Sequence, residues 1–597
     1  MHTRAALAAL VLLAAACSSD DNASAPSSAP PSTSTATSPS SSVAAPPSTE
    51  PESTESTEST EPGSTEPEST EPDSTAAEST SPPSTEATAT DTCTPPETTP
   101  LVAATVGAAN ADGSGTDWSI TSFDGAVVRA HWFPEPLLAD DQTAATVLMG
   151  PGWGSAGETN LGTVGDNTSI ATLQDAGFNV LTWDPRGFGQ STGTIEVDSP
   201  EFEGRDVEQL IDWVATQPQA ALDASGDPRL GMVGGSYGGG IQLVTAALDC
   251  RIDAIVPIIA WHSLQTSLFK ADTPKTGWAG LLSVASAGRT VDPVITRANA
   301  SGPTGVVDPA DVQWFADRGP GDLVDKITVP TLIIQGTVDT LFTLDEGVTN
   351  FQAIAANGVP AAMLWFCGGH GACLTPAGDE GRSGQAALAW LQRYVQDDES
   401  VDVGTTFEFV DQDGVSYTAN DFPEPDDDPL TAAGTGTLEL VADGGAGPAP
   451  ATGSGLAPLV APITPAKAAN AVNVTIPTAA DEAVLVGAPQ LSITYRGTVA
   501  DGTAPTRVFA QLIDDATGLV LGNQITPIAV TLDGATHSLD VPLEMIAFTA
   551  HPGSSLTLQI VATTVAYAQP RLGGSIDFES ITIDLPVVDG VTRTGSD

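Results

Sequence analysis

Three kinds of hydrophobic patterning follow one another along the 597-residue chain. From Ser18 to about Pro100 there is almost no large apolar side chain, only Ser, Thr, Pro, Glu and Ala in approximate Ser-Thr-Glu-Pro and Glu-Ser-Thr repeats. From about Leu101 to Asp398, continuous apolar runs alternate with stretches at helical spacing. Arg251 to Ile259 and Val329 to Gly336 read as strands buried on both faces. Val207, Leu210, Ile211 and Val214 recur as on one face of a helix. That alternation predicts an α/β domain, a mostly parallel sheet covered on both sides. From about Val401 to Asp597 the runs are short and alternating between Gly, Pro, Asp and Thr turns, as in Leu491–Tyr495, Arg507–Ile513 and Leu556–Val561. They predict a β-sandwich of jelly-roll kind. The stretch from about Trp261 to Lys326 is too long for an ordinary connection and reads as a lid over a pocket.

Composition changes the picture at the N-terminus. Met1 to Ala16 carries one arginine, Arg4, then an apolar stretch and small residues, which is a signal-peptide pattern too short to cross a bilayer. Ala14-Ala15-Ala16-Cys17 resembles a bacterial lipobox, so Cys17 is a candidate lipidation site, with cleavage and no lipid as the competing outcome. The segment 18–100 cannot bury enough apolar surface to offset its ordering entropy and is expected to be a disordered linker. A flexible chain of about 80 residues averages about 50 Å end to end. The formal net charge of −56 spreads into the folded part and argues against a nucleic-acid partner. Cys93, Cys250, Cys367 and Cys373 fit an oxidising compartment. We expect Cys367–Cys373 and Cys93–Cys250 disulfides; no C-x-x-C spacing occurs, which argues against a zinc site, and no metal is expected.

The candidate chemistry centres on Gly234-Gly235-Ser236-Tyr237-Gly238, between the strand-like Leu230–Val233 and a helix-like segment. This is the context of a nucleophile elbow, in which a serine sits at the tip of a strained turn flanked by glycines. Such a serine takes its acid and then its histidine later in the chain. Only six histidines are present. His2, His131, His537 and His551 lie in the export signal, an early strand or the distant C-terminal region, and His262 precedes the plausible acid. His370 remains, in a glycine loop after an apolar run. Asp339, at the end of the Val329–Gly336 run, is the candidate acid. Asp345 and Glu346 are rivals that fall where a helix should begin. The amides of Trp153, in the glycine loop after Thr146–Gly150, and of Tyr237 are the candidate oxyanion donors, each typically worth about 3 kcal/mol. Asp184 and Arg186 read as an ion pair bracing their loop.

Asp184-Pro185-Arg186-Gly187-x-Gly189-x-Ser191-x-Gly193, Gly234-x-Ser236-Tyr237-x-Gly239, Asp339 and His370 together resemble the X-Pro dipeptidyl-peptidase and bacterial cocaine-esterase group of α/β-hydrolases, over roughly residues 115 to 597. The resemblance implies a serine hydrolase of esters or amides with a helical cap and a C-terminal β-sandwich, and no cofactor. In the cocaine-esterase branch a tyrosine hydroxyl is an oxyanion donor, where this chain has Gly152-Trp153.

The expectation is an exported, envelope-associated or extracellular serine hydrolase that acts on a small-molecule or peptide substrate through Ser236, Asp339 and His370. Membrane contact is expected only through a lipid at Cys17. Acyl esters are favoured over X-Pro dipeptides, because none of the lid acids Asp272, Asp292, Asp308, Asp311 and Asp317 sits in a motif marking an ammonium anchor. A dipeptidyl-peptidase is the alternative, and a non-catalytic envelope protein using the sandwich to bind glycan or polymer is the alternative of another class.

Overall fold

The computed structural model describes residues 94–594 except 140, 165–167, 380, 427, 448–462 and 478–480. Cys17, Cys93 and the linker therefore lie outside the described residues. The N-terminal part is built on a sheet of twelve strands among the described residues. Its centre runs in the order Asn179–Asp184, Thr146–Gly150, Leu230–Gly235, Ala254–Ile258, Thr331–Gly336 and Ala361–Phe366, all parallel. These strands are apolar on both faces because both faces are covered. Arg205–Val214, Tyr237–Leu248 and Leu344–Ala356 pack their apolar side chains on one face. Ile170–Asp175 and Arg382–Val395 cover the other.

Two features of this sheet differ from the linear reading. Phe407–Val410 joins it in parallel beside Ala361–Phe366, and Ser416–Ala419 and Thr592–Thr594 follow in antiparallel order. Segments on the far side of residue 401 thus extend the central sheet, because its edge offers unpaired backbone groups that an added strand satisfies. Arg186 does not pair with Asp184. Its guanidinium is buried between Asp206 (2.6 Å) and Asp124 (2.6 Å), while Asp184 accepts the amides of Gly157 and Gln190. A buried guanidinium needs full neutralisation, and Asp206, on the helix behind the loop, supplies it from a fixed element.

The insertion between Ala254–Ile258 and Thr331–Gly336 folds into four α-helices among the described residues: Leu264–Phe269, Thr276–Ala285, Pro293–Ser301 and Pro309–Ala316. Asp292 and Asp308 begin the last two, accepting the amides of Val294 (2.8 Å) and Ala310 (2.9 Å). The C-terminal part is a β-sandwich. One four-stranded antiparallel sheet runs Leu430–Glu439, Gly574–Leu585, Gln490–Val499, Asp533–Pro542, and the other runs Ala471–Pro477, Ser555–Val561, Arg507–Asp514, Thr526–Ala529. Their inner faces share one apolar core that includes Ile493, Val508, Leu558 and Ile583. The sandwich meets the cap through backbone bonds, Gly277 N–H to Ala566 O (3.2 Å) and Ala568 N–H to Pro274 O (2.9 Å). Lys270 is held between Asp345 (2.8 Å) and Glu544 (2.7 Å).

Candidate active site

Ser236 stands between the strand Leu230–Gly235 and the helix Tyr237–Leu248 at φ 57°, ψ −116°. A non-glycine residue held there stores about 1–3 kcal/mol of strain. The turn is possible because Gly234 and Gly238 let it press against the neighbouring strand: a Cβ on them would lie 2.5 and 2.1 Å from the Gly150 carbonyl oxygen. The amide of Ser236 donates to Ile258 O at 2.8 Å, which ties the turn to the strand on its other side.

The structure brings the three expected polar groups together. His370 Nε2 is 2.8 Å from Ser236 Oγ, and His370 Nδ1 is 2.7 Å from Asp339 Oδ2. The His370 amide donates to the same carboxylate oxygen at 3.1 Å, while Asp339 Oδ1 accepts the amides of Leu341 (2.9 Å) and Phe342 (2.8 Å). Asp339 is completely buried and Ser236 and His370 nearly so. Trp278 and Phe342 meet the imidazole edge-to-face at 5.7 and 5.0 Å and fix its plane. A serine hydroxyl, an imidazole and a carboxylate in this sequence can relay a proton away from the hydroxyl as it attacks. The rivals are occupied elsewhere. Asp345 pairs with Lys270, Glu346 accepts the amides of His262 and Ser263, and His262 Nδ1 contacts Asn350 at 2.9 Å.

Tyr237 is the first residue of its helix, so its amide has no intrahelical acceptor and lies at the positive end of the helix. Trp153 lies in the loop after Thr146–Gly150, its indole N–H donating to Leu282 O at 3.0 Å and its ring edge-on to Tyr237 at 5.3 Å. Both residues line the same cavity as Ser236. That cavity measures about 200 Å³, and its walls include Trp261, Phe269, Phe315 and Phe342. Lys275 is the one charged residue in the lining, and no carboxylate takes part among the described residues. The lid acids are absent from it: Asp292 and Asp308 cap helices, Asp311 pairs with Arg297 (2.6 Å), and Asp317 accepts from Gln313.

Several residues shape the site without any signal in the local sequence. Lys275 donates to Leu341 O at 3.0 Å, and burial pushes its ammonium down to about 8. Trp278 Nε1 donates to Thr340 Oγ1 at 3.1 Å. Behind the nucleophile helix, Tyr237 Oη donates to Glu203 at 3.4 Å and accepts the Asp198 amide at 3.3 Å. Burial raises Glu203 to about 7 and holds Asp198 well above the usual carboxylate range. Cys367 and Cys373 are joined by a disulfide, Cα atoms 5.4 Å apart, on either side of His370. The pairing expected between Cys93 and Cys250 falls outside the described residues, because Cys93 does.

Residues 124–372 match the family model of the X-Pro dipeptidyl-peptidases of the S15 family. A bis(hydroxyethyl) terephthalate hydrolase of Streptomyces coelicolor is 27% identical over 189 residues, covering 31% of this chain and 52% of that protein. An uncharacterised 31.7 kDa protein of Escherichia coli is 36% identical over 87 residues, 15% of this chain and 29% of its own length. The chain therefore spans only part of the length of these curated relatives. A CocE/NonD family hydrolase from Staphylococcus aureus superposes with a TM-score of 0.58 at 12% identity, covering 82% of this chain and 97% of that one, a likeness of fold. The chain has the α/β-hydrolase fold, and in its family match and the arrangement around Ser236 it resembles the X-Pro dipeptidyl-peptidase and cocaine-esterase group.

Proposed function

We propose that the protein is an exported serine hydrolase that cleaves acyl esters through an acyl-enzyme. The observation that carries this reading is the Ser236–His370–Asp339 chain of hydrogen bonds opening on an aromatic-walled cavity with no carboxylate in its lining among the described residues. Ser236 Oγ attacks the ester carbonyl while His370 Nε2 takes its proton. Asp339 holds the Nδ1–H and stabilises the imidazolium without becoming protonated. The amides of Tyr237 and Trp153 receive the oxyanion. Collapse expels the alcohol, which leaves with the proton from Nε2, and water enters by the same route in reverse to release the acid.

An X-Pro dipeptide would bring a free ammonium into this cavity, and burying that cation without a partner is costly. Lys275 in the lining adds repulsion rather than relief. The matched family is nonetheless described by its dipeptidyl-peptidases, so peptidase activity is the second reading. The ester hydrolase named among the relatives supports the first. Export rests on the Met1–Ala16 pattern, and anchoring on Cys17. Labelling with a fluorophosphonate probe tests the site: Ser236→Ala abolishes labelling, and Ser236→Ala and His370→Ala each lose on the order of 10³-fold or more in kcat. Higher kcat/KM on p-nitrophenyl acyl esters than on Xaa-Pro-p-nitroanilides is expected, and the reverse order would establish the peptidase. An unlabelled protein would favour the non-catalytic binding role.

A further inference from the structure

The loops that carry Asp339 and His370 are both gripped by one turn of the C-terminal sandwich. This turn, Leu521–Asn523 with Gln524 after it, connects the strands Arg507–Asp514 and Thr526–Ala529. Gln524 Nε2 donates to the backbone carbonyl of Asp339 itself at 2.6 Å, across 185 residues of sequence. Asn523 Nδ2 donates to the carbonyl of Ala372, two residues past His370, at 3.1 Å. Both side chains are buried. Asn523 adopts φ 55° and Gly522 φ 60°, and a Cβ on Gly522 would lie 2.9 Å from Thr337 O. Asparagine is among the few side chains that tolerate this backbone. The turn thus accepts an unfavourable conformation while pressing against the acid loop and spending two amide donors on the triad loops.

We propose that the sandwich contributes Gln524 and Asn523 as positioning residues of the catalytic apparatus, setting the separation of Asp339 and His370 from Ser236. The inference rests on the serine-hydrolase reading of that site. Displacement of a reacting group by about 1 Å costs on the order of 100-fold in rate, so partial loosening of the acid loop acts on kcat and leaves the cavity, and KM, largely untouched.

The test uses the full chain. Gln524→Met keeps the volume and removes the donor, and Asn523→Gly keeps the turn and removes the side chain. Gln412→Met is the control. Gln412 also joins the two parts, donating to Thr549 O (2.9 Å) and accepting from its amide (2.8 Å), yet these bonds touch neither triad loop. Gln524→Met is expected to lower kcat and the rate of fluorophosphonate inactivation about 10-fold, and Asn523→Gly about 3-fold, with KM within about 2-fold. Gln412→Met keeps kcat at a similar cost in Tm. If kcat in Gln524→Met stays within about 2-fold of wild type, or Gln412→Met loses as much, the inference is overturned. Failure of the wild-type protein to be labelled would remove the serine-hydrolase reading and this inference with it, whereas a labelled wild type with an unimpaired Gln524→Met removes the inference alone.

Discussion

Ser236 is fixed by residues close to it in sequence and by the strands on either side of it, whereas Asp339 and His370 are fixed from far away. The nucleophile turn depends on Gly234 and Gly238 against Gly150 and on the hydrogen bond from the Ser236 amide to the Ile258 carbonyl. The acid turn, by contrast, is held at Thr340 and Leu341 by Trp278 and Lys275 of the cap, and at Asp339 by Gln524 of the sandwich. Phe342 O accepts from Gln335, in the strand that leads into this turn. A strained strand-to-helix turn is stabilised by its own sheet and can be written in five residues. A loop at the end of a strand has free backbone carbonyls, and whichever neighbours reach them decide where it sits.

The nucleophile side should fail first and most completely when its close approach is blocked. In Gly238→Ala the new methyl meets the Gly150 carbonyl, a backbone group that cannot swing aside. Overpacking of this kind costs about 3 kcal/mol, and the substitution is expected to lower Tm sharply and abolish labelling of Ser236, read by thermal unfolding and a fluorophosphonate probe. A stable, fully labelled Gly238→Ala would show that the turn has more freedom than its packing allows.

The acid and histidine side should respond by degrees. Replacing Cys367 and Cys373 together by Ser opens the clamp around His370. Loop-closure entropy for so short a loop gives a loss of about 2 kcal/mol. We expect kcat to fall several-fold while Ser236 is still labelled, more slowly. Equal kcat in the double variant and the wild type would show that the disulfide does not set the position of His370.

The smallest effect is expected behind the nucleophile helix and is a gain. Asp198 is fully buried, and burial, followed by the charge of Glu203, raises its pKa against the opposing effect of the Tyr237 hydroxyl. The folded protein therefore holds this proton more tightly than the unfolded chain does. Its contribution to stability is complete below about pH 4, the ordinary aspartate value. It declines as pH rises toward the raised value in the folded state. Asp198→Asn removes that decline, so its Tm relative to wild type should climb between about pH 5 and 8, by about 2 °C or more. A constant difference across that range would mean that Asp198 is not held protonated.

Much of the site was legible because its chemistry restricts the residues allowed. The elbow glycines are demanded by contacts under 3 Å. His370 stood out because histidine is scarce, and Asp339 because its strand is apolar on both faces up to the turn. The aromatic residues of the lid gave no such signal of role. Trp261, Phe269 and Phe315 wall the cavity, Trp278 orders His370, and Trp314 packs on Phe315 and Arg318. Spacing along a lid helix does not distinguish these positions, since each is an apolar side chain on a buried face.

The amino-acid sequence by itself determined the α/β framework, the sandwich pattern after it and the identity of the three polar groups at the site. Those follow from period-two and period-3.6 patterning and from the backbone angles that only certain residues accept. Only the tertiary structure decided that Arg186 is neutralised by Asp206 and Asp124, and that Phe407–Val410, Ser416–Ala419 and Thr592–Thr594 complete the hydrolase sheet. It also decided that Gln524 reaches the carbonyl of Asp339. Edge pairing and side-chain-to-carbonyl bonds are made with backbone groups that every residue possesses, so nothing in the identity of either partner announces them.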